Sequence, residues 1–321
     1  MAPSLMLKVP MTPLRVMGMV ACVAALCLIF SALTTSERKP KLGRSLEQPV
    51  QQFKTSQYSI KSDSLRVTYI QFFCAESDQR DTSGKTMAEP HFWKTFNFTS
   101  EKMPPNIDSL ALKVKVNEST INIMGVNTFY REAGPPEGVA GSGEVVVLLH
   151  GAAFQSKTWL DLNTINILAA MGHRVIAVDL PGYGLTRSRN TGNAADYLKN
   201  LLANLKIMSP ILVSPSMSGS FSIPLIMKYP QELGGYVPVA PVGTGSLVSM
   251  ASEVKVPTLI IYGEKDKGLG HASRDDLSKI PTSQAVELAG AKHPAYLDQP
   301  HLFHTLLYNF IKQVHNHRAL G

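Results

Sequence analysis

The sequence predicts an α/β protein with a mostly parallel central sheet and helices on both faces. The run EVVVLL at 144–149 is apolar and rich in β-branched residues, which is typical of a strand buried on both faces. Strand-like and helix-like segments alternate after it, and this alternation indicates parallel pairing with helical crossovers. The chain of 321 residues with 44% hydrophobic content is also long enough to bury a core of that kind.

The elements follow one another along the chain. Short strands are expected at LKVKV, TINIM and NTFYRE, and the strand at 144–149 leads into one helix over WLDLNTINILAAMG. Further strands are predicted at 174–179, 210–213, 235–240, 258–263 and 283–288, with helices at 195–205, 217–229 and 301–314. A compact domain is therefore predicted over residues 111–321.

The amino-terminal segment predicts a membrane anchor. Residues Val16 to Leu33 are apolar or small and carry no charge, and the run approaches the ~20 residues that span a bilayer. We expect a short tail at 1–15, a transmembrane signal anchor at 16–33 and a stalk or linker at 34–110. Most of the formal net charge of +7 comes from basic residues that flank this span, so the charge gives no reason to predict a nucleic-acid partner.

Two signals disagree on the orientation of this anchor. More basic residues follow the span than precede it, which favours a cytoplasmic domain. The sequons Asn97-Phe98-Thr99 and Asn117-Glu118-Ser119 instead favour a glycosylated domain that is lumenal or extracellular. The residues by themselves leave both orientations open.

The stretch LVSPSMSGSFS at 212–222 has serine at every second position. A nucleophile elbow consists of a strand, a small-x-Ser-x-small turn and a helix, and Ser214-Pro215-Ser216-Met217-Ser218 has this form. Ser216 lies just beyond the predicted strand end. A nucleophile at Ser218 would place Pro215 inside a central strand, where proline cannot donate to the ladder. Ser216 is therefore the predicted nucleophile.

An acid and a base follow in the order that such a sheet requires. Asp266 comes just after the strand at 258–263, and His293 lies in the loop after the strand at 283–288. Both loops leave carboxyl ends of strands, where ligands bind in α/β sheets. Asp266 would orient His293 so that its imidazole takes the proton of Ser216. Glu264 is the alternative acid.

Two backbone N–H groups are candidates for an oxyanion hole. Met217 follows the nucleophile directly, and Ala152 lies in the HGAAF turn after the strand at 144–149. No metal site is predicted, because His301 and His304 have no carboxylate or cysteine cluster beside them, and no cofactor is expected. The neighbours of His173 and His271 place both histidines in surface loops.

The motifs HGAAF, DLPGYG, SPSMS, YGEKD and GAKHPAYLDQP, in this order, resemble the α/β-hydrolase superfamily. Within it, SPSMSG together with VAP and YRE resembles the α/β-hydrolase domain-containing 14 family, and the amino-terminal span resembles its membrane-anchored A branch. This resemblance covers residues 110–315. It implies the α/β-hydrolase fold, a triad of Ser216, Asp266 and His293, and a single-pass type II protein whose hydrolase domain is lumenal or extracellular.

The segment between Pro241 and Pro257 is too short for the large lid domain that many members of the superfamily insert, so an open pocket is expected. The predicted function is that of a serine hydrolase acting on small acyl esters or acylated amines, acylated proteins included, through an acyl-enzyme intermediate. The alternative is a catalytically silent binding or scaffold protein that keeps the fold. An epoxide hydrolase or dehalogenase would need an aspartate in place of Ser216.

Overall fold

The computed structural model describes residues 57–58, 69–70, 90–189 and 192–319. The chain divides into two units, Met1–Asp78 and Gln79–Gly321. In the first unit, strands β1 (Gln57–Tyr58) and β2 (Tyr69–Ile70) form an antiparallel pair. The second unit holds all the predicted site residues.

An eight-stranded sheet forms the centre of the second unit. Its strands are β3 (Val116–Ile123), β4 (Val126–Ala133), β5 (Val145–Leu148), β6 (Arg174–Val178), β7 (Ile211–Pro215), β8 (Gly235–Val239), β9 (Thr258–Gly263) and β10 (Ser283–Leu288). Their order is β10-β9-β8-β7-β5-β6-β4-β3. The six strands from β10 to β6 are parallel to one another, whereas β4 is antiparallel to both of its neighbours, β6 and β3. The predicted mostly parallel sheet is confirmed.

Helices cover both faces of this sheet. They are α1 (Pro90–Thr95), α2 (Ile107–Ala111), α3 (Ser156–Asp161), α4 (Thr164–Ala170), α5 (Ala194–Asn204), α6 (Gly219–Lys228), α7 (Leu269–Leu277), α8 (Ala295–Asp298) and α9 (Pro300–Ala319). Alternate residues of β5 point to opposite faces: Val146 and Leu148 pack in a core with α3, α4 and α9, and Val147 packs in a second core with α5, α6 and α7. This burial on both faces explains the continuous apolar strands.

Several helices differ from the predictions. The single helix predicted over WLDLNTINILAAMG is two helices, α3 and α4, because Asn163 between them has a φ of 60°. This left-handed conformation ends a helix, and asparagine adopts it more readily than most residues. Helix α7 has no predicted counterpart. It buries only Gly270, Ser273 and Leu277, so its sequence lacks a clear apolar period.

Strand β7 extends two residues beyond its predicted end and includes Pro215. The pairing of β5 with β7 stops at Val213, whereas β8 pairs with β7 as far as Pro215. Pro215 therefore lies where only one neighbouring strand remains, and its missing N–H leaves no gap in a central ladder.

The packed domain includes residues before the predicted boundary at 111. The rings of Trp93 and Phe98 lie 6.0 and 5.6 Å from the ring of Phe310 in α9, and all three side chains are buried in the core on that face. Trp93 and Phe98 come from the segment predicted as a stalk. Their burial gives the domain part of its hydrophobic core.

The predicted anchor at 16–33 lies outside the described residues. In the part of the chain that the structure describes, none of the helices is both long and apolar enough to cross a membrane. The anchor, its orientation and glycosylation of Asn97 and Asn117 stay predictions. Both asparagines are exposed, Asn97 after α1 and Asn117 in β3.

The segment between β8 and β9 contains a 3-10 helix, Thr244–Glu253.

Candidate active site

Ser216 occupies the sharp turn between β7 and α6. Its φ is 51°, a left-handed conformation that costs a residue with a Cβ atom roughly 1–2 kcal/mol. Such strained residues cluster at functional sites. The Ser216 Oγ lies 2.8 Å from Nε2 of His293.

His293 in turn contacts Asp266. Nδ1 of His293 lies 2.6 Å from Oδ2 of Asp266, and the two side chains are 39% and 10% exposed. Because an ionised carboxylate can only accept, Nδ1 carries the hydrogen and Nε2 is left to accept the Ser216 O–H. The three predicted residues thus form one hydrogen-bonded series, although they come from loops after three different strands.

The alternative acid, Glu264, has a different partner. Its Oε2 accepts the backbone N–H of Gly290 at 2.6 Å. Glu264 therefore links the loops after β9 and β10, whereas Asp266 contacts the imidazole. The structure places Asp266, and not Glu264, in the series with His293.

The two candidate oxyanion donors belong to segments next to Ser216. A Cβ atom added to Gly151 would lie 3.4 Å from the Ser216 Cβ, so the turn after β5 passes directly beside the serine. Ala152 follows in this turn and lines the same cavity as Ser216. Met217 is the second residue of the 3-10 helix Ser216–Ser218, a position whose N–H has no acceptor within the helix.

His150 is a residue of the site that the sequence did not single out. Its imidazole is buried, and Nε2 accepts the backbone N–H of Leu180 at 2.9 Å. Nδ1 must then carry the hydrogen, which it donates to the Gly151 carbonyl at 2.9 Å. Burial lowers the pKa of His150, although the Gly151 hydrogen bond and nearby Asp179 partly oppose this. A neutral imidazole thus holds the turn that carries Ala152.

Beneath Ser216, the other serines of the elbow form a buried hydroxyl chain. Ser214 Oγ lies 2.9 Å from Ser218 Oγ and 2.7 Å from Ser222 Oγ. Ser222 Oγ lies 2.8 Å from the Tyr236 hydroxyl. The Ser218 hydroxyl donates to the Pro215 carbonyl at 2.7 Å. This set, Tyr236-Ser222-Ser214-Ser218, is called the hydroxyl chain below.

The hydroxyl chain has one direction. Each hydroxyl has a single hydrogen, and Ser218 uses its own on Pro215. Ser214 must then donate to Ser218, Ser222 to Ser214, and Tyr236 to Ser222. Burial raises the pKa of Tyr236, so the first donor keeps its hydrogen. The chain ends on the carbonyl of the residue before Ser216 and so helps to hold the strained turn.

A close backbone contact of the elbow falls at Gly219. A Cβ atom added there would lie 2.2 Å from the Val242 carbonyl oxygen. Flanking residues of an elbow are small because backbones crowd, and at Gly219 there is no room for a larger residue. Serine is tolerated at 214 and 218 because their hydroxyls have partners inside the hydroxyl chain.

A cavity of about 210 Å³ opens beside Ser216. Its lining is mostly apolar: Gly151, Ala152, Ala153, Phe154, Pro215, Ser216, Val239, His293, Pro294 and Tyr296. Mostly apolar walls with a few placed polar groups are typical of small-molecule sites.

The remaining histidines have different surroundings. His304 is buried and its Nε2 lies 2.9 Å from Thr164 Oγ1, whereas His301 is exposed. Among the described residues, no group of three or more potential ligands could hold a metal ion. The surface prediction for His173 is wrong, since it is buried and its Nδ1 lies 2.7 Å from Ser142 Oγ. The loop prediction for His271 is also wrong: it lies in helix α7, and the centroid of its partly buried ring is 5.4 Å from that of Tyr262.

Comparison with known proteins agrees with the fold described above. The sequence profile of the alpha/beta hydrolase family matches residues 146–220. A solved structure, a predicted CIB-like hydrolase from Thermoplasma acidophilum, is similar to this chain with a TM-score of 0.57 and 25% identity, over 62% of this chain and 98% of that one. An esterase from Thermogutta terrifontis has the same fold, with a TM-score of 0.51 and 16% identity over 62% and 99% of the two chains. The fold and site thus define an α/β-hydrolase.

Curated relatives narrow this class. Protein ABHD14A of Danio rerio is 41% identical over 197 residues, which cover 58% of this chain and 72% of the relative. The Homo sapiens protein named "Putative protein-lysine deacylase ABHD14B" is 37% identical over 210 residues, which cover 63% and 99%. The chain belongs to the ABHD14 family of α/β-hydrolases.

Proposed function

We propose that this protein is a serine hydrolase in which Ser216 is the nucleophile, His293 the general base and acid, and Asp266 the group that orients His293. The observation that carries the proposal is the continuous series of two hydrogen bonds, 2.8 Å from Ser216 to His293 and 2.6 Å from His293 to Asp266. The apolar cavity beside Ser216 supports it, because an acyl group needs a place next to the nucleophile.

The reaction follows from these positions. Ser216 Oγ bonds to the carbonyl carbon of the substrate while its proton moves to Nε2 of His293. Asp266 stabilises the imidazolium, and the N–H groups of Ala152 and Met217 donate to the oxyanion. The bond to the leaving alcohol or amine then breaks, and that group takes the proton from His293. Water, activated by His293, hydrolyses the acyl-enzyme and restores Ser216.

The proposed substrates are small acyl esters or acylated amines, including acylated side chains of proteins. The name of the human relative refers to protein-lysine deacylation, which is removal of an acyl group from an amine. The same chemistry at Ser216 would release either an alcohol or an amine, since His293 can protonate both.

Labelling with a fluorophosphonate, combined with an aryl-ester assay, tests the proposal. We expect Ser216→Ala to abolish labelling and to lower kcat by about 10³-fold or more, because the members of a triad act as a unit. Ser220→Ala is the matched control: Ser220 is exposed, four residues further along, and its hydroxyl donates to the Met217 carbonyl. It should label like the wild type. Wild-type labelling of Ser216→Ala would contradict the assignment of Ser216 as the nucleophile. A wild-type protein that neither labels nor hydrolyses esters would favour the binding-protein alternative.

A further inference from the structure

The cavity beside Ser216 contains a second hydroxyl. Tyr296 lies in α8, three residues after His293, and lines the cavity although the residue is only 2% exposed. Its ring packs between other aromatic rings, with centroids 4.7 Å from Trp159 and 5.8 Å from Phe303. The aromatic packing fixes the direction of the phenol, so the hydroxyl has little freedom to seek a partner elsewhere.

This hydroxyl differs from those of the buried residues Tyr197 and Tyr236. The Tyr197 hydroxyl lies 2.6 Å from Thr128 Oγ1, and the Tyr236 hydroxyl lies 2.8 Å from Ser222 Oγ. In residues 90–189 and 192–319, by contrast, no group forms a hydrogen bond with the Tyr296 hydroxyl, and burial alone raises its pKa. Because Tyr296 lines the cavity, a bound substrate that supplies a hydrogen-bond partner for this hydroxyl gains affinity over one that leaves it unpaired.

The rest of the lining restricts what can bind. Apart from His293, the described lining residues include no ionisable group other than Tyr296, and thus no lysine, arginine, aspartate or glutamate. A charged acyl group would lose its hydration there without gaining a partner of opposite charge. The cavity of about 210 Å³ is also smaller than the ~300–1,000 Å³ of sites for drug-sized ligands.

We propose that the cavity binds a short, uncharged acyl group, and that the Tyr296 hydroxyl hydrogen bonds to an oxygen atom carried by that acyl chain. The preferred substrates would then be short hydroxyacyl or oxoacyl esters and amides. This inference rests on the proposed serine-hydrolase function and specifies its acyl specificity. Tyr296 is a specificity-determining residue in this proposal, whereas Ser216 and His293 perform the reaction.

A matched set of aryl esters tests the inference on the full-length protein: butyryl, 2-hydroxybutyryl, 3-hydroxybutyryl and succinyl. We expect kcat/KM for at least one hydroxybutyryl ester to exceed that for the butyryl ester by about tenfold, the ratio that a single buried hydrogen bond provides. The succinyl ester should be the poorest substrate. In Tyr296→Phe, the preference for the hydroxyl group should disappear, as measured by the ratio of hydroxybutyryl to butyryl hydrolysis.

Tyr308→Phe is the matched control, because Tyr308 is a half-buried tyrosine of α9 that does not line the cavity. It should keep the wild-type ratio. A ratio of hydroxybutyryl to butyryl hydrolysis that is the same in wild type and Tyr296→Phe would overturn the inference, as would preferred hydrolysis of the succinyl ester.

Fluorophosphonate labelling separates this failure from failure of the proposed function. If the wild type labels at Ser216 and hydrolyses esters but its acyl preference ignores Tyr296, only the inference is wrong. If the wild type neither labels nor hydrolyses any ester, the proposed function is wrong as well. Thermal unfolding of Tyr296→Phe should match the wild type, because the variant loses no hydrogen bond among the described residues.

Discussion

At the scale of single residues, two carboxylates two positions apart have separate tasks. Asp266 contacts the imidazole of His293, and Glu264 ties its own loop to Gly290. Both follow the same strand, so sequence position left either as the candidate acid. The direction of the two side chains decides between them, and this direction depends on where the loop after β10 passes.

This difference leads to a paired prediction. Asp266→Asn should lower kcat by roughly 10⁴-fold, because an amide no longer holds His293 in the tautomer that accepts the Ser216 proton. Glu264→Gln keeps an oxygen that can accept the Gly290 N–H, so kcat should stay within a few-fold of wild type. Ester hydrolysis measured across pH, with thermal unfolding as a check on folding, compares the two. A larger loss of kcat in Glu264→Gln than in Asp266→Asn would indicate that Glu264, and not Asp266, orients His293.

At the scale of an element, the elbow between β7 and α6 is held by side chains as well as by backbone. The hydroxyl chain runs from Tyr236 in β8 through Ser222 and Ser214 to Ser218, and then to the Pro215 carbonyl. The elbow therefore depends on the neighbouring strand. A glycine-flanked turn would have no such link, because glycine has no hydroxyl to donate.

The direction of the hydroxyl chain predicts unequal effects at its two ends. Ser218→Ala removes the hydrogen bond to Pro215 and leaves the Ser214 O–H without an acceptor, so the free energy of unfolding should fall by about 1–3 kcal/mol. Fluorophosphonate labelling of Ser216 should also slow. Tyr236→Phe removes only the first donor, and every serine keeps an acceptor for its own hydrogen. Its loss of stability should be smaller, about 1 kcal/mol or less.

Urea unfolding and labelling rates of the two variants check this order. Ser220→Ala serves as the control here too, because the exposed Ser220 hydroxyl takes no part in the hydroxyl chain. A greater effect in Tyr236→Phe than in Ser218→Ala would show that the hydrogen bonds run the other way or do not form a chain.

At the scale of the whole molecule, buried histidines predict the response to acid. Burial lowers the pKa of His173 and of His304 to about 4, with neighbouring His315 and His301 adding to the respective effects. As the pH falls, the unfolded chain takes up these protons near the ordinary histidine pKa of 6.5, before the folded protein does. Stability is therefore complete above about pH 6.5 and falls as the pH decreases towards 4, by at most ~1.4 kcal/mol per pH unit for each histidine.

His304→Gln tests this response. Glutamine does not titrate and can still hydrogen bond to Thr164, so the free energy of unfolding should depend less on pH between about 4 and 6.5. The control is His91→Gln, since His91 is exposed and lies on a different helix, α1. Chemical denaturation at a series of pH values measures both slopes. An unchanged slope in His304→Gln would mean that His304 is not protonated on unfolding.

The architecture and the three residues of the series could be predicted because they depend on local patterns. Apolar runs such as EVVVLL mark buried strands, and residues just beyond parallel strands converge at one edge of a sheet. That rule alone brings Ser216, Asp266 and His293 together. The break at Asn163 and the weakly apolar helix α7 were missed, because neither has a periodic signal.

What the sequence by itself determined is therefore the mostly parallel α/β fold and the positions of Ser216, Asp266 and His293 after three of its strands. Only the tertiary structure decided the partners of individual side chains: the neutral tautomer of His150, the link from Ser222 to Tyr236, and the hydroxyl of Tyr296, which has no hydrogen-bond partner among the described residues. The physical reason is that periodicity and turn chemistry act over a few residues, whereas these contacts depend on which strands lie side by side. Tyr236 reaches the elbow because β8 pairs with β7.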